Sequence, residues 1–383
     1  MIVGSGPAGS AAAIGALSCR PSASVLLVDR VDFPRDKACG DAVLDAALAE
    51  LESYGVARHR IVGDHRSVDT LRITSPRGVQ VSGQTRCPIT IVPRMVLDAN
   101  LRTAARTAGA ESVRHTVRSV RELDTCVEID GKLKARVLIA ADGAESAVRR
   151  SLIGSRRRDI AVAIRGYART TGDPVPTIML DDRPGLAYAW RFPTAGGPTN
   201  VGYGRSLASG ETVSRSVLLR KMHVLLPGLE VDPTTIRAHR LPLSTSAQPL
   251  ARGRVLFAGD AASLINPVSG EGINYAIATG LAAGAASMLG AARAGQHYRA
   301  SVQRRLGRHH HDIATLAAIT QSRTLLEAGA RAARTNPRVF EDIATLGIGE
   351  GLLTPRLIVG MATEVLLGAA RSLLPAGLVR ERG

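Results

Sequence analysis

Gly4, Gly6 and Gly9 stand in G-x-G-x-x-G spacing, with Pro7 and Ala8 between them, directly after the apolar pair Ile2-Val3. Glycines at that spacing let a turn close against a pyrophosphate, and the helix opening there offers free N–H groups and a positive dipole end. The small residues from Ser10 to Leu17 continue as that helix, and a second apolar strand, Val25 to Val28, runs into Asp29 and Arg30. A carboxylate about 20 residues beyond the last glycine is placed for a ribose hydroxyl. These residues predict a dinucleotide site. The first strand has only three residues ahead of Gly4, so either the strand is short or the true start lies upstream.

Two later segments carry the same kind of turn. Residues 137–150 run from an apolar strand into Asp142-Gly143 and a basic helix start. Residues 255–280 run from a strand into Gly259-Asp260, then an irregular loop with Pro267, Gly270 and Gly272, then Ile273-Asn274 and an Ala/Gly-rich helix. Asp260 at a strand end can accept hydrogen bonds from a polyol such as ribityl, and the helix N–H groups after Gly272 face a developing negative charge. A reduced flavin carries that charge at N1 and O2.

These motifs, in this order, resemble the FAD-dependent oxidoreductases of the para-hydroxybenzoate hydroxylase fold over about residues 1–300. The resemblance implies that Gly4, Gly6, Gly9 and Asp29 hold the ADP half of FAD and Asp260 the ribityl. It puts Gly270, Gly272 and Asn274 beside the isoalloxazine. Arg94 and Asp98 match the family's R-x-x-x-D-x-x-L helix start, whose arginine approaches the cofactor; an ordinary solvated arginine is the alternative.

Two further segments narrow the resemblance. Residues 33–41 read Phe-Pro-Arg-Asp-Lys-Ala-Cys-Gly-Asp, and residues 188–193 read Tyr-Ala-Trp-Arg-Phe-Pro ahead of an Asn200-Val-Gly strand. The pair is similar to the geranylgeranyl reductase family, and its C-G-D form resembles the actinobacterial branch. That branch tends to continue with Gly and Leu, where this chain has Ala42 and Val43. Arg35 and Lys37 can pair with a pyrophosphate or an acidic substrate. Cys39, followed by Gly40, is a candidate proton donor or redox thiol with a lowered pKa, or simply packs. Alternation puts Tyr188, Trp190 and Phe192 on one strand face, either walling an apolar pocket or filling a sheet core. Tyr203 and Tyr275 are further pocket candidates. The candidate catalytic residues are Cys39, Tyr188 and Trp190.

The elements that must hold these residues suggest an α/β fold. A Rossmann-like FAD-binding domain (1–68, 84–159 and 245–310) is interleaved with a mostly antiparallel substrate sheet (69–83 and 160–244), and helices fill 311–383. Expected strands are Ile160–Thr170, Val175–Leu180, Leu186–Phe192, Thr199–Arg205 and Ile236–Leu241, with helices at Val43–Leu51 and Thr212–Leu226. The C-terminal helices break at Pro337 and Pro355.

Composition bounds the rest. With 383 residues, 45% hydrophobic and 21% charged, the chain is globular rather than disordered. Four scattered cysteines argue against a disulfide scaffold and for a reducing cytoplasmic home. The net charge is +16, yet only four of 49 basic residues are lysine and aromatics are 3%, so nucleic acid is not an expected partner. A soft attraction to an anionic membrane fits better. No signal peptide is expected, and Leu352 to Leu378 is too interrupted to span a bilayer. His309-His310-His311 and Ser155-Arg-Arg-Arg are read as solvated; adjacent helical histidines cannot share one metal ion, and no metal site is expected.

Two chemistries remain open. In the first, reduced FAD passes a hydride to a prenyl double bond of an apolar substrate while an acid, Cys39 or Tyr188, protonates the other carbon. In the second, the enzyme is a monooxygenase acting through a flavin C4a-hydroperoxide. Flavin halogenation is disfavoured, since no lysine lies between Lys37 and Lys132; a non-catalytic flavin scaffold would need its pocket closed. No second dinucleotide fingerprint is present, so electrons come from transiently bound NAD(P)H or from a separate reductase protein.

Overall fold

The computed structural model describes residues 1–154, 159–169, 172–194, 196–245 and 248–373. Its first sheet contains β1 (Ile2–Val3), β2 (Leu26–Asp29), β6 (Glu111–Arg114), β10 (Leu138–Ala140), β16 (Ala251–Arg252) and β17 (Val255–Phe257), in the order β16-β17-β10-β1-β2-β6. All pairings are parallel except β16 with β17. Parallel strands covered on both faces need continuous apolar runs, which Leu138-Ile-Ala and Val255-Leu-Phe supply.

Helix α1 (Pro7–Cys19) lies beneath this sheet against α7 (Ile273–Ser287). The Ala/Gly composition of both is what lets them approach. A Cβ on Gly284 would sit 2.0 Å from the Ala12 carbonyl oxygen, so no larger residue fits there. The Gly/Ala stripes therefore bury backbone against backbone rather than side chain against side chain.

The second sheet has β3 (Ala42–Leu44), β4 (Ser67–Thr74), β5 (Gln80–Ile91), β11 (Ile160–Ala168), β12 (Thr177–Leu180), β13 (Ala187–Phe192), β14 (Thr199–Ser206) and β15 (Arg237–Pro242). Their order is β15-β11-β14-β13-β12-β4-β5-β3, antiparallel except for β12 with β4. This sheet reaches beyond the segments expected from sequence. β4 begins at Ser67, β5 runs on to Ile91, and Val43 and Leu44, expected to open a helix, belong instead to the strand Ala42–Leu44 that pairs with Ile89–Ile91. The β-branched Val43 favours that extended start, and the helix α2 (Asp45–Ser53) opens only at Asp45. The expected strand end at Thr170 and the Ser155 arginine run (155–158) lie outside the described residues.

A small meander of β7 (Val120–Glu122), β8 (Val127–Ile129) and β9 (Leu133–Ala135) stands apart. The helices α3 (Arg58–Val62), α4 (Arg94–Thr107), α5 (Ala147–Ile153) and α6 (Arg215–Leu225) fill the connections. The C-terminal part is α8 (Ala291–Ile319), α9 (Arg323–Thr335), α10 (Pro337–Ile348) and α11 (Pro355–Leu373), with prolines opening the last two as read from sequence. α10 packs on β5, where Phe340 fills the space over Gly83.

His309 corrects one expectation. It is buried, not solvated: Nε2 lies 2.5 Å from the Tyr275 hydroxyl and Nδ1 2.6 Å from the Gly351 carbonyl. α7 and the loop before it reach the C-terminal region twice more, through Asn266 Nδ2 to the Gly347 carbonyl at 2.8 Å and Asn274 Nδ2 to Glu350 at 2.9 Å. The tail is thus fastened to the loop expected beside the flavin.

Candidate active site

Between the two sheets lies a cavity of about 680 Å³. At one end are the G-x-G-x-x-G turn, the end of β2 and the Asp142-Gly143 turn; at the other is an apolar chamber. The turn is shaped as its spacing requires. A Cβ on Gly9 would lie 1.7 Å from the Gly4 carbonyl oxygen, so only glycine lets helix and turn close. Asp29 Oδ2 accepts the Ser5 backbone N–H at 2.7 Å, which ties the end of β2 to that turn. Asp142 Oδ2 accepts the Ala147 N–H at 2.7 Å and so caps α5.

The loop after β2 lines the cavity with Arg35, Asp36, Lys37, Ala38, Cys39 and Gly40. Lys37 donates to Asp260 Oδ2 at 2.8 Å, and Arg35 lies 3.3 Å from Asp98 Oδ2. Burial works against the Asp260 carboxylate, but Lys37, His239 and Arg94 together hold the group below its ordinary value. Arg94 is buried, not solvated, and grips Asp98 with two bonds of 2.7 and 2.8 Å. The i,i+4 spacing on α4 makes that fork possible.

Cys39 departs from its expectation. No lowered pKa arises: burial pushes the thiol up, against the opposing pull of Arg94. Its neighbour Asp41 is fully buried at a φ of 63°, and three donors hold its carboxylate. They are the Tyr167 hydroxyl at 2.5 Å, Asn200 Nδ2 at 2.7 Å and the Arg94 N–H at 3.3 Å. Burial nonetheless dominates and pushes Asp41 up to about 6.

The apolar chamber is walled by Leu44, Ile89, Ile178, Trp190, Phe192 and Ile348. Tyr188 and Trp190 stand side by side, rings 5.9 Å apart, as the alternation on β13 predicts. Trp190 Nε1 donates to Asn200 Oδ1 at 2.7 Å, and Asn200 also donates to the Cys39 carbonyl at 2.9 Å. The aromatic wall and the Cys39 loop are therefore one hydrogen-bonded unit. The Tyr188 hydroxyl donates to the Ser269 carbonyl, and burial pushes its pKa far up.

Of the sequence candidates, the cavity gathers Gly4, Gly6, Pro7, Ala8, Asp29, Arg30, Arg35, Cys39, Gly40, Arg94, Asp142, Gly143, Asp260, Gly270, Gly272, Ile273, Tyr188 and Trp190. Gly9, Gly259 and Pro267 stand behind its wall, where they pack the turns that face it. Asn274 does not line the cavity: its Nδ2 donates to Glu350, and its buried Oδ1 has no hydrogen-bond partner. Tyr203 and Tyr275 are not pocket residues: their hydroxyls satisfy Asp181 at 2.7 Å and His309 in the interior.

Sequence reasoning passed over Asp41, Glu271, His239 and Asn200. The first two stand inside quoted motifs, C-G-D and G-E-G, and motif membership was their available signal. Glu271 is pushed up to about 7 by burial, although the backbone N–H groups of Asn274, Gly272 and Ile273 oppose the shift. His239 is pushed down to about 4 by burial and by Lys37. Nothing in the arginine-rich run around His239 marks it.

The cavity fits FAD on its own terms. Asp142 Oδ1, Arg35 Nε and His239 Nε2 border it as buried polar atoms without a hydrogen-bond partner. Such atoms cost stability unless a ligand satisfies them. Their chemistry suits the ribose, phosphate and polyol groups of a dinucleotide. FAD bound here supplies hydride or oxygen-activating chemistry.

Comparison with known proteins agrees. Residues 1–201 and 212–306 match the family described as "FAD binding domain". The chain is 34% identical over 313 residues to a menaquinone reductase of Mycobacterium tuberculosis, covering 73% of this chain and 74% of that one. It is 32% identical over 314 residues to a geranylgeranyl diphosphate reductase of Rhodobacter capsulatus, covering 75% and 74%. Among solved structures, a geranylgeranyl bacteriochlorophyll reductase-like protein from Thermoplasma acidophilum superposes with a TM-score of 0.76 at 20% identity, covering 97% of this chain and 98% of that one. A cavity built for a dinucleotide, the apolar aromatic strand beside it and these relatives converge: the chain belongs to the geranylgeranyl reductase family of FAD-dependent oxidoreductases.

Proposed function

We propose that the chain reduces carbon–carbon double bonds in a prenyl chain carried by a quinone or other lipid. The observation that carries this reading is the apolar chamber: Trp190, Phe192, Ile89 and Ile178 line the same cavity as the Gly270–Gly272 turn, and Tyr188, beside Trp190, stands against Gly270. A chamber lined this way takes hydrocarbon and excludes water. The names of the relatives, which act on menaquinone and on geranylgeranyl groups, support the same substrate class.

Reduced FAD supplies the hydride. The chain's own residues bind and orient. Asp29 and the G-x-G-x-x-G turn fix the ADP half, Lys37 and Asp260 set the polyol segment, and Tyr188 with Trp190 close one side of the substrate. Electrons enter from NAD(P)H or a separate reductase protein. Anaerobic turnover of the reduced enzyme with a prenylated quinone tests the reading, with saturated product expected.

We further propose that α11 rests on an anionic membrane surface, from which such a lipid is drawn. No helix of the described residues is long and apolar enough to cross a membrane. However, α11 exposes Ile358 (55%), Val359 (63%), Leu366 (71%) and Leu367 (43%) along one stripe. Its acidic residue Glu364 is turned inward to Arg331 at 3.2 Å, while Arg334 on α9 and Arg338 on α10 are exposed. Apolar stripe and cations together suit an anionic bilayer.

A further inference from the structure

One half-buried titratable side chain of this cavity makes none of the cofactor or substrate contacts described above. Glu271 borders the junction of the cofactor end and the apolar chamber. Its Oε1 accepts the Asn274 backbone N–H at 2.5 Å, and the N–H groups of Gly272 and Ile273 also bond it. These are the donors that open α7, the same donors that favour negative charge on a reduced flavin. A carboxylate and an anionic cofactor would compete for them in a buried place, where two like charges disfavour each other strongly.

Four charged or titratable groups among the described residues are coupled to Glu271. They are Arg94 on α4, Cys39 on the loop after β2, Tyr188 on β13 and Tyr275 on α7. Of these, Arg94 favours the carboxylate, and Arg94 is already held in a fork by Asp98. The two donors read from sequence are poor acids here: burial raises the Cys39 thiol, and the Tyr188 O–H is committed to the Ser269 carbonyl. A carboxyl group near neutrality is better matched to proton transfer.

We propose that Glu271 takes up a proton when the bound FAD is reduced and delivers it to the substrate carbon opposite the one that receives the hydride. The delivery rests on the reductive reading above; the uptake does not. A nicotinamide or a reductase protein supplies two electrons. These and one proton go to FAD, and a second proton goes from solvent to the Glu271 carboxylate. In turnover the hydride, with its electron pair, bonds to one alkene carbon. The Glu271 O–H bond breaks as the C–H bond at the other carbon forms. FAD is left oxidised and the carboxylate restored, so the alkene gains two electrons and two protons in all.

The test uses the FAD-loaded full chain and measures its two-electron midpoint potential by dye-coupled enzymatic reduction, from about pH 6 to about pH 9. Glu271→Gln keeps an acceptor for the Asn274 N–H and cannot titrate; Glu271→Asp still can. Above about pH 7 the wild-type potential should fall twice as steeply with pH as that of E271Q, two protons against one, and E271D should keep the steep limb. A wild type with no steeper limb, or an E271Q variant that retains it, overturns the uptake. In a second arm, prereduced enzyme is mixed without air with a prenylated quinone. Reoxidation should be about 100-fold slower in E271Q, and equal rates overturn the delivery. If wild type itself is not reoxidised, the reductive reading and the delivery fall together, while the potentials still decide the uptake.

Discussion

Lys37 and Asp260, 223 residues apart, meet at 2.8 Å across the middle of the cavity. The contact joins the loop after β2 to the G-D turn after β17, so the two halves of the cofactor site are fastened by one ion pair. Its acidic member is also the acceptor assigned to the FAD polyol. Replacing Asp260 with Ala should therefore weaken FAD binding by about 1.5–3 kcal/mol, the range for a hydrogen bond to a charged group. That is roughly tenfold to a hundredfold in Kd, read by flavin fluorescence on titrating the apoprotein. An unchanged Kd would remove Asp260 from the site.

Asp41 makes stability depend on pH. Its folded value of about 6 lies above the 3.8 of a free chain. The folded state therefore keeps a proton that the unfolded chain has released. The stability linked to that proton is full below about pH 4 and is lost as pH rises through about 6. Asp41→Asn cannot titrate. It should be less stable than wild type at acid pH, since its amide meets donors, and the difference should narrow by up to about 3 kcal/mol toward pH 7. Urea unfolding at several pH values checks this; a constant difference contradicts it.

Trp190 owes its place to Gly202 on the neighbouring strand. A Cβ at Gly202 would lie 2.1 Å from Trp190 Cζ2 and 2.5 Å from the Ile164 carbonyl oxygen. Gly202→Ala should push the indole into the chamber at a cost of about 1–3 kcal/mol. FAD binding should persist while KM for a prenylated substrate rises. Because the chain has one tryptophan, its fluorescence should shift in the same variant. An unmoved spectrum with a normal KM would separate the indole from substrate binding.

The α11 surface predicts sedimentation with vesicles containing anionic phospholipid, weakened by salt and weaker on neutral vesicles. Leu366→Glu, at a position 71% exposed, should abolish the association without lowering the melting temperature. Equal binding of that variant would point away from α11; self-association lost in the same variant would mark the stripe as an interface between copies of this chain.

What could be read from sequence followed spacing. The G-x-G-x-x-G turn, the D-G and G-D turns and the Tyr188–Trp190 face depend on local periodicity, and each faces the cavity. Residues whose role depends on burial were not legible. Cys39 sits on a loop that looks exposed and reactive, yet folding half-buries it and raises its thiol. His309 stands in a polar histidine run, but α8 turns it inward to Tyr275. Ala42–Leu44 continue smoothly into a helix, and only pairing with Ile89–Ile91 makes them a strand. Asp41 and Glu271 acquire their properties from partners far along the chain, or from a cavity that spacing does not reveal.

The central claim is reduction of a prenyl double bond, and product mass tests it most directly. Reduced, FAD-loaded enzyme is given prenylated quinones with and without air. The account predicts a gain of about two mass units that persists without oxygen, the signature of hydride plus proton. A gain of about sixteen that disappears without oxygen would contradict it and make the protein a monooxygenase.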